Sequence, residues 1–232
     1  MHVTAIVPAA GGGRRMGGAL PKQYQPLLGV PLLAHTLRAL WGSGSIHSLV
    51  LVVPPGGEAH CRAAVLDPYG LRADRVVAGG ADRQASVYAG LQAAPAATEI
   101  VLVHDAARPC VRPEAVREVI RAAAAVGAAL VAVAVTDTVK LASPEGERLQ
   151  TLPRERLWAA QTPQVFRAAL LREAHERALA EGFRSTDDCA LVERMGQPVR
   201  VVEGSADNLK ITTPEDLARA EQILRSRAEA AR

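Results

Sequence analysis

The apolar run at residues 3–7 passes directly into Pro8-Ala9-Ala10-Gly11-Gly12-Gly13-Arg14-Arg15-Met16-Gly17-Gly18-Ala19-Leu20-Pro21-Lys22. A strand therefore enters a glycine-rich loop that carries three cations. No carboxylate competes for them, because the first Asp or Glu of the chain is Glu58. Glycine lets the backbone turn its N–H groups toward a ligand, and guanidinium and ammonium groups add fixed positive charge. The loop reads as a cradle for a group bearing several phosphates. It is neither of two familiar phosphate loops. A dinucleotide fingerprint needs a third glycine where Met16 stands, and an acid about twenty residues on. A P-loop needs Gly-Lys-Ser/Thr, whereas Lys22 lies between Pro21 and Gln23.

With 232 residues, 49% of them hydrophobic, the chain is long enough for one large core, and a single domain over 1–232 is expected. Aromatic residues make up only 3%, so that core must be aliphatic. A net charge of +3, spread along the chain, does not predict a nucleic-acid partner. Cys61, Cys110 and Cys189 are odd in number and far apart, which predicts neither a disulfide framework nor a metal knot. No apolar run reaches the roughly 20 residues of a membrane span. The N-terminus enters a strand at once, leaving no room for a signal peptide. The expected location is the cytoplasm. There are only three lysines, Lys22, Lys140 and Lys210, against 24 arginines, and Asn208 is the sole asparagine.

Strands are predicted at 4–7, 49–53, 75–77, 100–103, 129–135 and 198–202. Most are continuous apolar runs, as expected when both faces of a sheet are covered. Helices are predicted at 31–40, 58–66, 82–93, 113–125, 168–181, 186–195 and 213–225, with Pro31 and Pro113 placed in first turns. Thr213-Pro214-Glu215-Asp216 supplies a cap, a first-turn proline and early acids for the last helix. The alternation predicts an α/β, three-layer, Rossmann-like fold with a mostly parallel sheet. Residues 136–151 break the pattern. Polar arms around a turn at 143–146 predict a β-hairpin arm projecting from the domain.

The ordered motifs resemble one family. Pro8-Ala9-Ala10-Gly11-x-Gly13-x-Arg15-Met16 followed by Pro21-Lys22-Gln23 is similar to the signature of the 2-C-methyl-D-erythritol 4-phosphate cytidylyltransferases, which have a nucleotidyltransferase fold. The likeness continues through Gly79-Gly80, Arg83, Ser86-Val87 and Val103-His104-Asp105-Ala106-Ala107-Arg108-Pro109. It extends on to Asp137-Thr138-Val139-Lys140, Gln161-Thr162-Pro163-Gln164, Thr186-Asp187-Asp188 and Asp207-Asn208-Leu209-Lys210-Ile211-Thr212. It implies that CTP and a small polyol phosphate are joined with release of pyrophosphate. An enzyme acting on ribitol 5-phosphate, a sugar-1-phosphate nucleotidyltransferase and a non-catalytic nucleotide-binding module are the alternatives.

Under this resemblance Arg15, Lys22 and Lys210 are catalytic. Charge builds on the phosphate oxygens during in-line displacement, and fixed cations lower that barrier. Ala9, Ala10, Gly11, Gly13, Gly80, Ser86 and Ala106 hold the nucleotide, where small residues let the backbone approach a pyrimidine edge. The family often has an acid directly after the glycine pair, where this chain has Ala81 and then Asp82. Asp105, Arg108, Thr138, Arg154, Thr162 and Thr186 are the expected contacts to the polyol phosphate. Thr186-Asp187-Asp188 also suits a helix cap. A carboxylate facing a triphosphate calls for a cation between them, so Asp105 and Asp207 are expected to hold magnesium. His104 is expected to be a packed neighbour of Asp105 and not an acid or base. The resemblance further implies a homodimer in which the 136–151 arm carries Thr138, with Arg154 just beyond it, to the partner's site.

Overall fold

The computed structural model describes residues 1–11 and 20–230. The chain begins with β1 (Val3–Pro8), whose side chains alternate between the two faces of the sheet. Val3, Ala5 and Val7 join one buried cluster and Ile6 joins the other. This is how a continuous apolar run behaves when helices cover both faces. A single 3₁₀ turn follows at Lys22–Tyr24. A small ribbon, β2 (Pro26–Leu27) and β3 (Val30–Pro31), then leads into α1 (Leu32–Trp41). Pro31 precedes that helix as its N-cap instead of sitting inside its first turn.

Next come β4 (Ser48–Val53), α2 (Glu58–Cys61) running on through a π turn at Arg62–Leu66, β5 (Arg75–Ala78) and α3 (Arg83–Gln92). They are followed by β6 (Ile100–Val103), α4 (Pro113–Val126) and β7 (Ala128–Ala134). The expected arm is present as β8 (Lys140–Ala142) and β9 (Leu149–Thr151), an antiparallel pair separate from the main sheet. The chain returns through β10 (Trp158–Arg167), α5 (Ala168–Ala180), α6 (Asp188–Arg194), β11 (Arg200–Glu203) and α7 (Pro214–Ala230).

The main sheet has seven strands in the order β11-β7-β10-β6-β1-β4-β5. All neighbours are parallel except β10, which runs antiparallel to both β6 and β7. Apolar side chains of α1, α2 and α4 pack on one face. Those of α3, α5 and α6 pack on the other. The three-layer α/β expectation therefore holds, with the one reversed strand added. A third cluster of Leu27, Leu32, Ala107, Cys110, Ile211 and Ala220 seats α7 against the β2–β3 ribbon.

Two irregularities shape the region beyond the strand ends. The pairing of β10 with β7 slips between Ala160 and Gln164, placing Gln161 and Thr162 at the break. A bulge of this kind re-aims side chains, and here it brings Thr162 under the end of β6. The start of α7 is fixed by a reciprocal cap. The Thr213 and Thr212 backbone N–H groups donate to Asp216 Oδ2 at 2.9 and 2.8 Å, and Asp216 N donates to Thr213 Oγ1 at 3.3 Å. That cap holds the preceding loop, which carries Lys210.

Cys61, Cys110 and Cys189 are buried and unbridged. Among the described residues no helix is long and apolar enough to cross a membrane.

Candidate active site

A cleft of about 320 Å³ opens beyond the carboxyl ends of β1, β5 and β6. Ligands in open α/β sheets bind at such strand ends. Its walls come from four loops: Pro8–Gly11 after β1, Gly80–Arg83 after β5, Asp105–Ala107 after β6, and the loop bearing Lys210. Lys22 and Gln23 close it from the 3₁₀ turn. Of the residues predicted from the sequence, Ala9, Ala10, Gly11, Gly80, Ser86, Ala106, Asp105, Lys22 and Lys210 are thus brought together. Gly13 and Arg15 lie outside the described residues.

The wall after β5 is built by close approach. A Cβ on Gly79 would come within 2.6 Å of Ala10 Cβ and 2.8 Å of Ser86 Oγ. A Cβ on Gly80 would meet Ala85 Cβ at 2.5 Å. Only glycine lets this turn lie against the first loop. Ser86 stitches it in place, accepting from Gly80 N at 3.2 Å and donating to Asp82 O at 2.8 Å. Asp82 does not stand in for an acid at position 81. Its Oδ1 caps α3 by accepting from Ala85 N, and its Oδ2 pairs with Arg184.

Asp105 is the electrostatic centre. Its Oδ2 is 2.7 Å from Lys210 Nζ and its Oδ1 is 3.3 Å from Arg83 Nε, while Arg108 Nε is more distant at 3.9 Å. Burial opposes its ionisation, but Arg83, Lys210 and Arg108 together overcome burial and hold the carboxyl well below the usual carboxylate range. Behind it, Asp105 N donates to Thr162 Oγ1 at 3.0 Å, and Thr162 Oγ1 is 3.1 Å from His104 Nδ1. His104 Nε2 is 3.0 Å from the Arg108 carbonyl, which can only accept. A neutral imidazole protonated at Nε2 satisfies all three contacts, with the Thr162 hydroxyl donating to Nδ1. Burial pushes the imidazole down to about 4, against the opposing pull of the Arg108 carbonyl and Asp105. His104 is therefore a neutral brace, packed beside Asp105.

The Lys210 loop is pinned from below. Asn208 donates from Nδ2 to Gln161 Oε1 at 3.0 Å and to Thr162 O at 2.9 Å, Arg108 Nη1 donates to Asn208 O at 2.6 Å, and Ile211 N donates to Ala107 O. The one asparagine thus ties the bulge in β10 to the loop that carries Lys210.

Other predicted residues lie elsewhere. Asp207 does not line the cleft. Its Oδ2 is 3.1 Å from Arg112 and 3.2 Å from Arg227, clasping α4 to α7, and hydrogen bonds from those arginines keep its carboxyl below the usual range. Among the described residues no three His, Cys, Asp or Glu side chains cluster as a metal site. In this structure Asp105 is engaged by Lys210 and Arg83 and Asp207 by Arg112 and Arg227, and of the two only Asp105 lines the cleft. Thr162 is buried with its hydroxyl committed to His104 and Asp105, so it supports the site from behind. Thr186 is exposed beside α6, whose cap is Asp187, accepting from Ala190 N at 3.1 Å. Thr138 and Arg154 are exposed at the arm, Arg154 Nη1 donating to Thr136 O, and neither lines the cleft of its own chain.

Arg83 stands in the motif pattern, yet sequence reasoning assigns it no role. It bridges two carboxylates, with its Nη1 2.6 Å from Asp188 Oδ2 in addition to the Asp105 contact. The available signal was Asp188 itself: an acid beside the apolar run of α6 is buried and requires a cation.

Fold and cleft together define the class, an α/β nucleotidyltransferase with its cleft at the carboxyl ends of the central strands. The family model described as "IspD: 2-C-methyl-D-erythritol 4-phosphate cytidylyltransferase" matches residues 3–226. The chain belongs to this family. The protein of that name from Pelotomaculum thermopropionicum is 49% identical over 97% of this chain and 95% of its own length. The one from Desulforamulus reducens is 48% identical over 97% of each. The crystal structure of the Thermus thermophilus protein of the same name has a TM-score of 0.79 at 40% identity, covering 97% of this chain and all of that one. That of 4-diphosphocytidyl-2C-methyl-D-erythritol synthase from Anaerococcus prevotii reaches 0.84 at 31% identity, covering 97% and 98%.

Proposed function

We infer that this enzyme joins CTP to 2-C-methyl-D-erythritol 4-phosphate, giving 4-diphosphocytidyl-2-C-methyl-D-erythritol and pyrophosphate, a step of isoprenoid biosynthesis. Ribitol 5-phosphate is the disfavoured substrate, because the close relatives carry the methylerythritol name along their full length. The observation that carries the mechanism is the convergence of Lys22 and Lys210, from opposite ends of the chain, on one glycine-walled cleft.

The reaction is a single in-line displacement. An oxygen of the polyol phosphate forms a bond to the α-phosphorus of CTP, the bond from that phosphorus to the bridging oxygen breaks, and the electron pair leaves on pyrophosphate. No covalent enzyme intermediate is needed. Lys22, with Arg15 from the glycine loop, stabilises charge on the triphosphate. Lys210 faces the attacking and transferred phosphates. Positioning and electrostatics supply the acceleration. Magnesium would accompany the triphosphate and neutralise its charge, with Asp105, which lines the cleft, and Asp207 as the carboxylates that would hold it. Arg108 and Asp105 address the polyol, and Thr186 contacts the polyol phosphate. The enzyme works in the cytoplasm.

The arm completes the site in a homodimer. It exposes Leu141 (55%) and Leu149 (63%), which pair to Gln150 and Ala142 and so lie on opposite faces of the ribbon, while Trp158 at its base is 44% exposed. A two-stranded ribbon is marginal alone in water. A twofold-related arm covers it and delivers Thr138 and Arg154 to the neighbouring cleft.

Pyrophosphate release with CTP and either methylerythritol phosphate or ribitol 5-phosphate, measured in parallel, tests the reading. Turnover with ribitol phosphate equal to or above that with methylerythritol phosphate would overturn the substrate assignment.

A further inference from the structure

Asp188 is the most deeply buried acid near the cleft, with its side chain 1% exposed at the start of α6. Its backbone N donates to Gln164 Oε1 at 3.1 Å, and the Gln164 amide in turn donates to Asp187, so the first turn of α6 is strapped to β10. Its Oδ1 faces His175 Nε2 of α5 at 3.4 Å. That imidazole is fully buried and stacks on Tyr88 of α3. Three helices thus enclose one carboxylate whose close cation is Arg83. Desolvating such a pair costs about as much as the attraction returns, so a buried ion pair is a poor device for stability alone. Position is the better account of it. The far side of Arg83 reaches the cleft and touches Asp105.

We propose that Arg83 is a positioning residue for nucleotidyl transfer, anchored by Asp188 so that it holds Asp105 on one oxygen and leaves the other to orient Lys210. Among the described residues Arg83 alone spans both carboxylates, because a guanidinium presents several donors in a rigid fork, whereas a lysine offers one point charge. The arrangement also leaves a charge surplus. Arg83, Arg108 and Lys210 face Asp105 and Asp188, so the cluster keeps one uncompensated positive charge toward an incoming polyanion. Without its anchor, Arg83 is free to close fully on Asp105 or to turn into the cleft. In either case Lys210 loses its fixed direction while the charge that binds CTP remains.

This proposal rests on the cytidylyltransferase reading, and its test separates the two. Asp188→Asn and Arg83→Lys are assayed with CTP and methylerythritol phosphate beside wild type, and Asp188→Asn is repeated in a Lys210→Ala background. Folding is followed by circular dichroism. The expected result is a fall in kcat of about tenfold or more in each single variant, with KM for CTP within about threefold. In the Lys210→Ala background, Asp188→Asn should cost less than about threefold further, because the lost effect runs through Lys210. Losses that multiply in full, wild-type kcat in both single variants, or failure of both to fold would each overturn the proposal. The last would mark a purely structural pair. An inactive wild type would instead overturn the substrate reading, and the positioning role with it.

Discussion

Lys210 Nζ lies 2.7 Å from Asp105 Oδ2, so the lysine nearest the C-terminus is aimed by a carboxylate at the end of β6. The contact is charge-assisted and largely removed from water on the Asp105 side. Lys210→Ala should lower kcat by about a hundredfold or more, the scale of losing one transition-state donor. Asp105→Asn should also lower kcat, because an amide does not hold the ammonium in place. Retention of near-normal turnover by Lys210→Ala would rule out its charge-stabilising role.

The same electrostatic reasoning applies to the first loop. Lys22→Ala and Arg15→Ala are each expected to reduce turnover by about a hundredfold or more, with little change in melting temperature. Lys22→Arg should be nearly as poor, because a planar fork does not replace a compact charge. Steady-state assays paired with thermal unfolding check this. A proportional loss of folded protein would show that the effect is not catalytic.

Selectivity should follow from the glycine wall. Gly79 and Gly80 pack closely against Ala10 and Ala85, and a wall of such small residues suits a pyrimidine approached by the backbone. CTP should be preferred over ATP and GTP by about tenfold or more in kcat/KM, within the range that pocket size alone achieves. Gly79→Ala should raise KM for CTP by pushing Ala10 or Ser86 out of position. Equal use of purine triphosphates would sink the argument.

Most of the strands follow from runs readable in the sequence, because parallel strands buried on both faces are continuous in Val, Leu and Ile. β10 was less legible. No strand is predicted over residues 157–166, and nothing local announces that a strand there is reversed. Its direction is set by tertiary context, between β6 and β7. The cleft lining was legible where chemistry is concentrated, in the glycine loop and in Lys22, Asp105 and Lys210. The partners of Asp207 were not legible, because an acid near a lysine motif looks the same in sequence whether it faces a cation or two arginines. Its partners, Arg112 and Arg227, are far away along the chain. The hydroxyl of Thr162 was similarly opaque, since a bulge decides which way it points.

His104 should make stability depend on pH. Its folded value of about 4 lies below the ordinary 6.5, mainly because burial disfavours the charged ring. Between those values the unfolded chain binds a proton that the folded chain does not, so stability rises with pH across the window. The contribution is fully present above about pH 6.5 and is lost as pH falls toward 4, amounting to about 3 kcal/mol. Asp105, also lowered, adds a further loss below its ordinary 3.8. Urea unfolding from pH 7 to 4 should therefore show a steeper decline for wild type than for His104→Gln. Parallel declines would contradict the buried neutral imidazole.

Subunit mixing tests the shared site. Thr138 and Arg154 are exposed and do not line their own chain's cleft, while Lys22 does. If the partner's arm supplies Arg154, then Lys22→Ala and Arg154→Ala are inactive for different reasons and can complement each other. In a mixed dimer, one cleft carries both defects and the other carries neither. Two inactive preparations, allowed to exchange subunits at random, place half of the dimers in the mixed form. Each mixed dimer has one intact site, so activity should recover to about a quarter of wild type if sites act independently. Exchange itself can be followed by differently tagged subunits, and mass by light scattering. Random exchange without recovery, or a fully active monomer, would show that each chain completes its own site and that the exposed leucines of the arm serve another purpose.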